Sequence, residues 1–209
     1  MVDRQPTSHE RMAGQSWDAS YTGDEPAPWD IERAQPVVER LAAAGAFTDP
    51  VLDAGCGSGD NALHLAARGF SVLGFDVAET ALAGARAKAD ARGIAAEFVV
   101  ADALQLEQLG RAFATVLDCG LFHAFDNEER SRYASSLAAA TESGGTVYVL
   151  CFADYGENQG PHPVAQAELR QAFAASSGWQ IVSIEADRVL TRFHGDVGAP
   201  AWLATVRRL

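Results

Sequence analysis

The segment that most constrains this chain is Val51-Leu52-Asp53-Ala54-Gly55-Cys56-Gly57-Ser58-Gly59-Asp60. Val51 to Ala54 has strand character, a glycine-rich turn follows, and helical spacing then runs to about Ala67. Gly55 and Gly57 lack the Cβ that would obstruct a sharp turn or the close approach of a ligand. The helix behind them offers free N–H groups at the same point. Asp76 ends the next apolar strand, Ser71-Val72-Leu73-Gly74-Phe75, where a carboxylate can accept both hydroxyls of a ribose. Asp53 stands just ahead of the glycines, where a dinucleotide would bring its negative pyrophosphate, and the spacing is GxGxG rather than GxGxxG. Together these residues predict an α/β protein with a site for a nucleoside that carries a cationic tail.

The rest of the chain supplies further β-α units. A helix is expected from Gln35 to Ala44, with Pro36 in its first turn and Gly45 at its stop. After the helix at 59–68 and the strand at 71–75 comes an alanine-rich helix from Ala78 to Arg92, then a strand at 96–100 that ends beside Asp102. Asp102 can cap the short segment Leu104–Leu109. A fourth strand at 113–118 delivers Cys119, Gly120, Leu121, Phe122 and His123 to the end where open parallel sheets bind ligands. A helix at 127–140, a strand at 146–152, a helix at 166–176 and an alternating pair at 179–186 and 201–206, read as a terminal hairpin, complete the pattern. Between them, residues 153–163 form a loop long enough to suggest a function.

The N-terminal part reads differently. Residues 1–13 are expected to be loose unless they order over a ligand. Trp17 and Tyr21 lie four apart and share a face if helical, while Pro26-Ala27-Pro28-Trp29-Asp30 is stiff and not helical. Trp17 and Trp29 either seal the edge of the core or form a lid that excludes water from an apolar ligand. Residues 1–33 are therefore read as an arm, and 34–209 as one domain.

Composition narrows the partners. The 209 residues include 28 acidic and 16 basic side chains, a net charge of -12, which disfavours nucleic acid and anionic membranes as bulk partners. Cys56, Cys119 and Cys151 form no CxxC pair, so neither a disulfide framework nor a metal site is expected. Met1 to Arg11 is polar, without the apolar core of a secretory signal, and no apolar run reaches membrane-spanning length. A cytoplasmic setting is expected, as a monomer or homodimer.

Asp53 through Gly59, with Asp76, resembles motif I and the ribose acid of the class I S-adenosylmethionine-dependent methyltransferases. The resemblance implies a three-layer Rossmann-like sandwich around a mostly parallel seven-stranded sheet, order 3-2-1-4-5-7-6. It also implies S-adenosylmethionine as cofactor and S-adenosylhomocysteine as product. The turn at Gly55, Cys56 and Gly57 would face the methionine part, and Asp53 would help hold its amino end, directly or through water. Asp76 with Val77 would take the ribose, and Asp102 with Ala103 the adenine edge. Cys119, Gly120, Trp17 and Trp29 complete the implied cofactor set.

On the acceptor side, His123 is the best-placed candidate; Tyr155 is a second catalytic candidate that either orients an acceptor or anchors its loop, Asp154 is a further candidate, and His162, flanked by prolines, is less convincing. His123 has an alternative reading, in which it is hydrogen-bonded to the loop backbone or packed near the adenosine. Cys119 lacks the basic neighbour of a nucleophile. Trp17 with Tyr21, Pro28-Trp29-Asp30, Gln35-Pro36 and the stretch from Gly160-Pro161 to Val164 are similar to the thiopurine, thiol/halide and tellurite branch. The Asn-Pro-Pro-Tyr signature of many N-methyltransferases is absent; Asp118-Cys119-Gly120-Leu121 stands in its place. The resemblance thus implies transfer to sulfur or oxygen of a small acceptor such as a thiol, halide, phenol or heterocycle. A phenol would benefit from a general base, and a thiol less so. The competing readings are a methyltransferase of protein or RNA, a non-catalytic cofactor-binding protein and a dinucleotide oxidoreductase.

Overall fold

The computed structural model describes residues 4–23, 25–157, 159–160 and 162–209. The expectation for residues 1–3, and the Asn158 and Pro161 positions of the long loop, lie outside the described residues. Seven strands form one sheet in the order β3-β2-β1-β4-β5-β7-β6. They are β1 (Val51–Ala54), β2 (Val72–Asp76), β3 (Glu97–Val100), β4 (Phe113–Cys119), β5 (Thr141–Phe152), β6 (Trp179–Val189) and β7 (Ala199–Arg208). All neighbours from β3 to β5 are parallel, while β5–β7 and β7–β6 are antiparallel.

Every residue of β1 is buried, as a strand covered on both faces requires. On one face lie α2 (Pro36–Ala43), α3 (Asp60–Ala66) and α4 (Glu79–Arg92), which bury Val38, Leu63, Leu65 and Leu82 against the sheet. On the other, α5 (Asn127–Ala140) and α6 (Gln166–Ala172) bury Tyr133, Leu137 and Leu169 with Trp179. Ala54 pairs with Phe75 on one side and Asp118 on the other, so β1, β2 and β4 end together. The strand order reverses there: β1 connects outward to β2, and β4 lies on its opposite side. The loops after these strands diverge and leave a crevice.

Several boundaries differ from the sequence reading. The strand expected from 146 begins at Thr141, with a register irregularity opposite Phe113/Thr115 that absorbs the glycine pair 144–145. The helix expected to reach 176 ends at Ala172 because Phe173 turns inward, stacking on Phe122 at 5.7 Å and meeting Trp179 edge-on at 5.6 Å. The hairpin strands run longer than periodicity indicated.

The larger correction concerns the N-terminus, where residues 8–13 form the helix α1 (Ser8–Ala13) rather than a loose tail. Thr7 and Glu10 make a capping box, and Glu10 is buried. Glu129 at the start of α5 holds this helix to the domain. Its carboxylate accepts the Ser8 N–H at 2.8 Å, the Ser8 hydroxyl and Arg11 at 3.2 Å. Glu129→Ala removes these charge-assisted bonds, together worth on the order of 2 kcal/mol net. Limited proteolysis should then cut residues 4–20 at least about tenfold faster while the thermal midpoint falls by only about a few degrees. An unchanged cleavage rate would show that α1 is held by other contacts.

Candidate active site

The crevice at the ends of β1, β2 and β4 opens into a cavity of about 360 Å³. Its floor is the glycine turn. Gly55 (φ 65°), Gly57 (φ 52°) and Gly59 (φ 82°) all adopt left-handed backbone. A Cβ on Gly57 would stand 2.8 Å from the Tyr21 hydroxyl, and one on Gly55 would stand 3.1 Å from Leu121. The turn is bare because both the arm and the loop after β4 press on it. Asp76 reaches across from β2: one carboxylate oxygen accepts the Gly57 N–H at 2.9 Å and the other the Ala78 N–H at 2.9 Å.

Of the predicted cofactor residues, the cavity brings together Gly55, Cys56 and Gly57 on the floor. The same cavity is lined by Asp76, Val77, Asp102 and Ala103, by Cys119 and Gly120, and by Trp17 and Trp29 of the arm. Asp102 also performs the capping role, accepting the Leu104 N–H at 2.9 Å. Asp53 is not on the cavity wall. It lies buried below the turn, and one of its oxygens has no hydrogen-bond partner among the described residues. Direct contact of Asp53 with a ligand is therefore not provided by this arrangement.

The arm forms the roof. Trp17 stacks on His9 at 4.4 Å, and Trp29 meets it edge-on at 5.5 Å. The Trp29 indole N–H donates to the Tyr21 hydroxyl at 2.8 Å, and Asp30 accepts the Ser58 hydroxyl at 2.6 Å. Arg4, Thr7 and His9 also line the cavity. Sequence reading missed them, although the Thr-Ser-His-Glu spacing of the capping box was there to be read.

At the remaining side, His123 lies against Phe152 with ring centroids 4.4 Å apart, and its Nδ1 accepts the Phe152 N–H at 3.4 Å. That is the backbone-bonded alternative for this residue, yet the ring also lines the cavity. His162, held at φ 54°, contacts His9 at 3.2 Å and borders the cavity too. Tyr155 takes its loop-anchor reading and stands off the cavity rather than at an acceptor. Its hydroxyl donates to the carbonyls of Ala201 (3.3 Å) or Asp187 (3.4 Å), its ring packs on Trp202 at 4.7 Å, and it does not line the cavity. The loop carries it outward along the antiparallel hairpin. In its place stand Val189 at the end of β6 and Leu190, Thr191, Phe193 and His194 from the β6–β7 connection, which no sequence motif marked.

Burial dominates the electrostatics. It pushes Asp53 and Asp118 up to about 7, each held back by backbone N–H donors. Burial raises Asp76 as well, opposed by the N–H groups of Ala78 and Gly57. The thiols of Cys56 and Cys119 are raised, again by burial first, so neither is a ready nucleophile. Burial lowers His123 to about 3, with His162, Arg130 and His9 adding to the effect. Among the described residues, no group of three or more His, Cys, Asp or Glu side chains could hold a metal ion. Among the described residues no helix is long and apolar enough to cross a membrane.

A 3-2-1-4-5-7-6 sheet with a glycine floor, a strand-end acid at Asp76 and an enclosing roof defines a class I S-adenosylmethionine-dependent methyltransferase. The chain belongs to that family, in its small-molecule range, and S-adenosylmethionine is its cofactor. A methyltransferase domain model matches residues 51–145. The 2-heptyl-1-hydroxyquinolin-4(1H)-one methyltransferase of Mycobacteroides abscessus is 35% identical over 189 residues, covering 86% of this chain and 82% of the relative. A solved structure concerning conversion of a disulfide bond into a thioacetal group during echinomycin biosynthesis superposes with a TM-score of 0.80. It has 35% identity and covers 96% of this chain and 89% of that one. Magnesium protoporphyrin IX methyltransferase from Synechocystis PCC 6803, with bound S-adenosylmethionine, gives a TM-score of 0.63 at 27% identity, covering 83% and 76%.

Two outcomes test the site. Asp76→Ala should weaken S-adenosylhomocysteine binding roughly tenfold or more by calorimetry, because it deletes a charged acceptor. Unchanged affinity would remove Asp76 from the nucleoside site. For Asp118, the folded group at about 7 keeps a proton that the unfolded carboxyl, near 3.9, has lost. Its contribution to stability is therefore full below about pH 4 and disappears as pH rises through about 7. Asp118→Asn retains an acceptor for the N–H groups of Leu121 and Phe122. It should raise the thermal midpoint at pH 8 and leave it nearly unchanged at pH 4.

Proposed function

We propose that this methyltransferase acts on the oxygen of an acidic hydroxyl carried by a small, flat heteroaromatic acceptor. The observation that carries this reading is the state of His123. With Nδ1 accepting the Phe152 N–H, a neutral ring bears its proton on Nε2 and offers a donor. A group held near 3 is neutral at physiological pH and too weak a base to deprotonate an ordinary phenol. It suits an acceptor that arrives as an anion, whose oxygen it can hold by hydrogen bonding. Phe125, Phe152 and Trp29 give the cavity flat apolar walls for such a ring. The likeness to a hydroxyquinolone methyltransferase supports the same class.

S-adenosylmethionine supplies a methyl whose transfer forms a bond from the acceptor atom to carbon and returns the electron pair of the broken carbon–sulfur bond to sulfur. In this reading Asp76 and Val77 hold the ribose, Asp102 and Ala103 the adenine edge, and the Gly55–Gly57 turn the methionine part. Cys119 and Gly120 pack beneath the transfer point. Residues 1–33 act as a lid: Trp17 and Trp29 exclude water, which strengthens the hydrogen bond to the bound anion. A thiolate acceptor is the second reading. It needs no base either, and the likeness to the echinomycin thioacetal structure favours it.

The test combines a hydroxyl series of graded acidity with two variants. Wild-type kcat/KM should rise with pH along each acceptor's own ionisation. His123→Ala should lower kcat/KM about 10- to 100-fold, and His123→Gln, which keeps a donor, should restore part of it. A pH profile that stays put across the series, and shifts when His123 is replaced, would make His123 a base instead.

A further inference from the structure

We infer that the turn joining β6 to β7, with Phe193 at its tip, is the acceptor-selecting lip of the cavity and receives an uncharged apolar tail on the acceptor. This rests on the small-acceptor reading above. Phe193 lines the cavity yet is 81% exposed, and Trp29, 39% exposed, borders the same cavity. A slack turn would fold such a ring inward, because burying a phenylalanine is worth on the order of 2 kcal/mol. This turn is held open. The buried Gln35 side chain grips Leu190 from both sides, donating to its carbonyl at 2.8 Å and accepting its N–H at 2.9 Å. The Arg192 N–H donates to the Pro28 carbonyl at 2.8 Å, and Thr191 bonds His194 at 2.7 Å. The Arg192 side chain reaches Glu25 at 3.1 Å and Glu32 at 3.9 Å, and Arg33 reaches Asp196 at 3.5 Å.

The arm and the turn are therefore joined around an apolar edge on the His123 side of the cavity, where the His194 ring of the turn lies 6.3 Å from Phe152 and Phe152 lies 4.4 Å from His123. Among the described residues the two rim arginines, Arg33 and Arg192, face three carboxylates, Glu25, Glu32 and Asp196, so the rim carries excess negative charge and disfavours an anionic tail or an anionic membrane. A neutral alkyl or aryl tail running out of the cavity across Phe193 matches the surface.

The experiment uses 1-hydroxyquinolin-4(1H)-ones bearing hydrogen, methyl, butyl, heptyl or 6-carboxyhexyl at position 2. Each is titrated by calorimetry into the full chain saturated with S-adenosylhomocysteine. Affinity should rise with alkyl length, by up to about fourfold for each fully buried methylene and by roughly tenfold or more from methyl to heptyl. The carboxyhexyl compound should lose that gain. Phe193→Ala should cut the heptyl advantage about threefold or more and leave the methyl compound unchanged, and Phe193→Asp should cut it further. Val182→Asp, at a 60%-exposed position of β6 outside the cavity, should leave the series unchanged. A flat series, equal losses for every compound, or no binding at all would overturn the inference. So would a wild-type dimer that Phe193→Asp dissolves, since a second copy would then be what covers the ring. Tail-dependent binding without methyl transfer would leave the lip intact and overturn the acceptor reading.

Discussion

The Asp76 carboxylate lies between two backbone segments that would otherwise be independent. One oxygen takes the Gly57 N–H of the glycine turn and the other the Ala78 N–H at the start of α4. The turn after β1 and the turn after β2 are thereby held at one spacing. The cavity between them depends on that tie: both turns line it, and the Tyr21 hydroxyl closes on Gly57 where that residue is fixed. Both segments emerge where the strand order reverses, so the sheet topology and the carboxylate together define a single site.

The same use of acids recurs across the molecule and gives the charge of -12 a second meaning. Asp18 from the arm accepts the Thr80 N–H at 2.7 Å in the first turn of α4, whose own N-cap, Ala78, has no side chain to do so. Asp126 caps α5, Asp102 caps the 3-10 segment after β3, and Asp49 accepts the Ser71 N–H at 2.7 Å. Helix starts present unsatisfied N–H groups and the positive end of the dipole, so carboxylates are stabilising there. Many of the acids are therefore structural ligands of backbone. Two of them tie the arm to backbone, Asp18 at α4 and Glu129 at α1, beside the side-chain contacts of Asp30 with Ser58 and of Glu25 and Glu32 with Arg192.

The roof and the acceptor side follow from these attachments. With α1 fixed against α5, His9 meets His162 above the cavity and Trp17 lies over its opening. With Pro28 bonded to Arg192, the arm and the β6–β7 turn move as neighbours rather than as separate loops. His123 sits beneath them, its tautomer set by a backbone N–H from β5. The cavity is thus walled by three segments far apart in the chain together with the turns that follow β1, β2 and β3.

The sequence by itself determined the cofactor half of this protein. Local chemistry suffices there: glycines at 55 and 57 admit a backbone that other residues resist, and Asp76 and Asp102 stand at strand ends by simple counting. The strand and helix periods carried the fold class for the same reason, because burial on one or both faces is written in consecutive residues. Tertiary structure alone decided the rest. Tyr155 stands off the cavity because the loop after β5 runs along the terminal hairpin, and Phe193 lines it because Gln35 and Pro28 hold a motif-free turn in place. The order of residues 4–13 depended on Glu129, more than a hundred positions away, even though the capping box itself was local. Contacts at such separations leave no periodic trace in the chain, so the methyl donor was legible in the sequence, as were His123, His162, Trp17 and Trp29 on the cavity wall, while the β6–β7 turn was not.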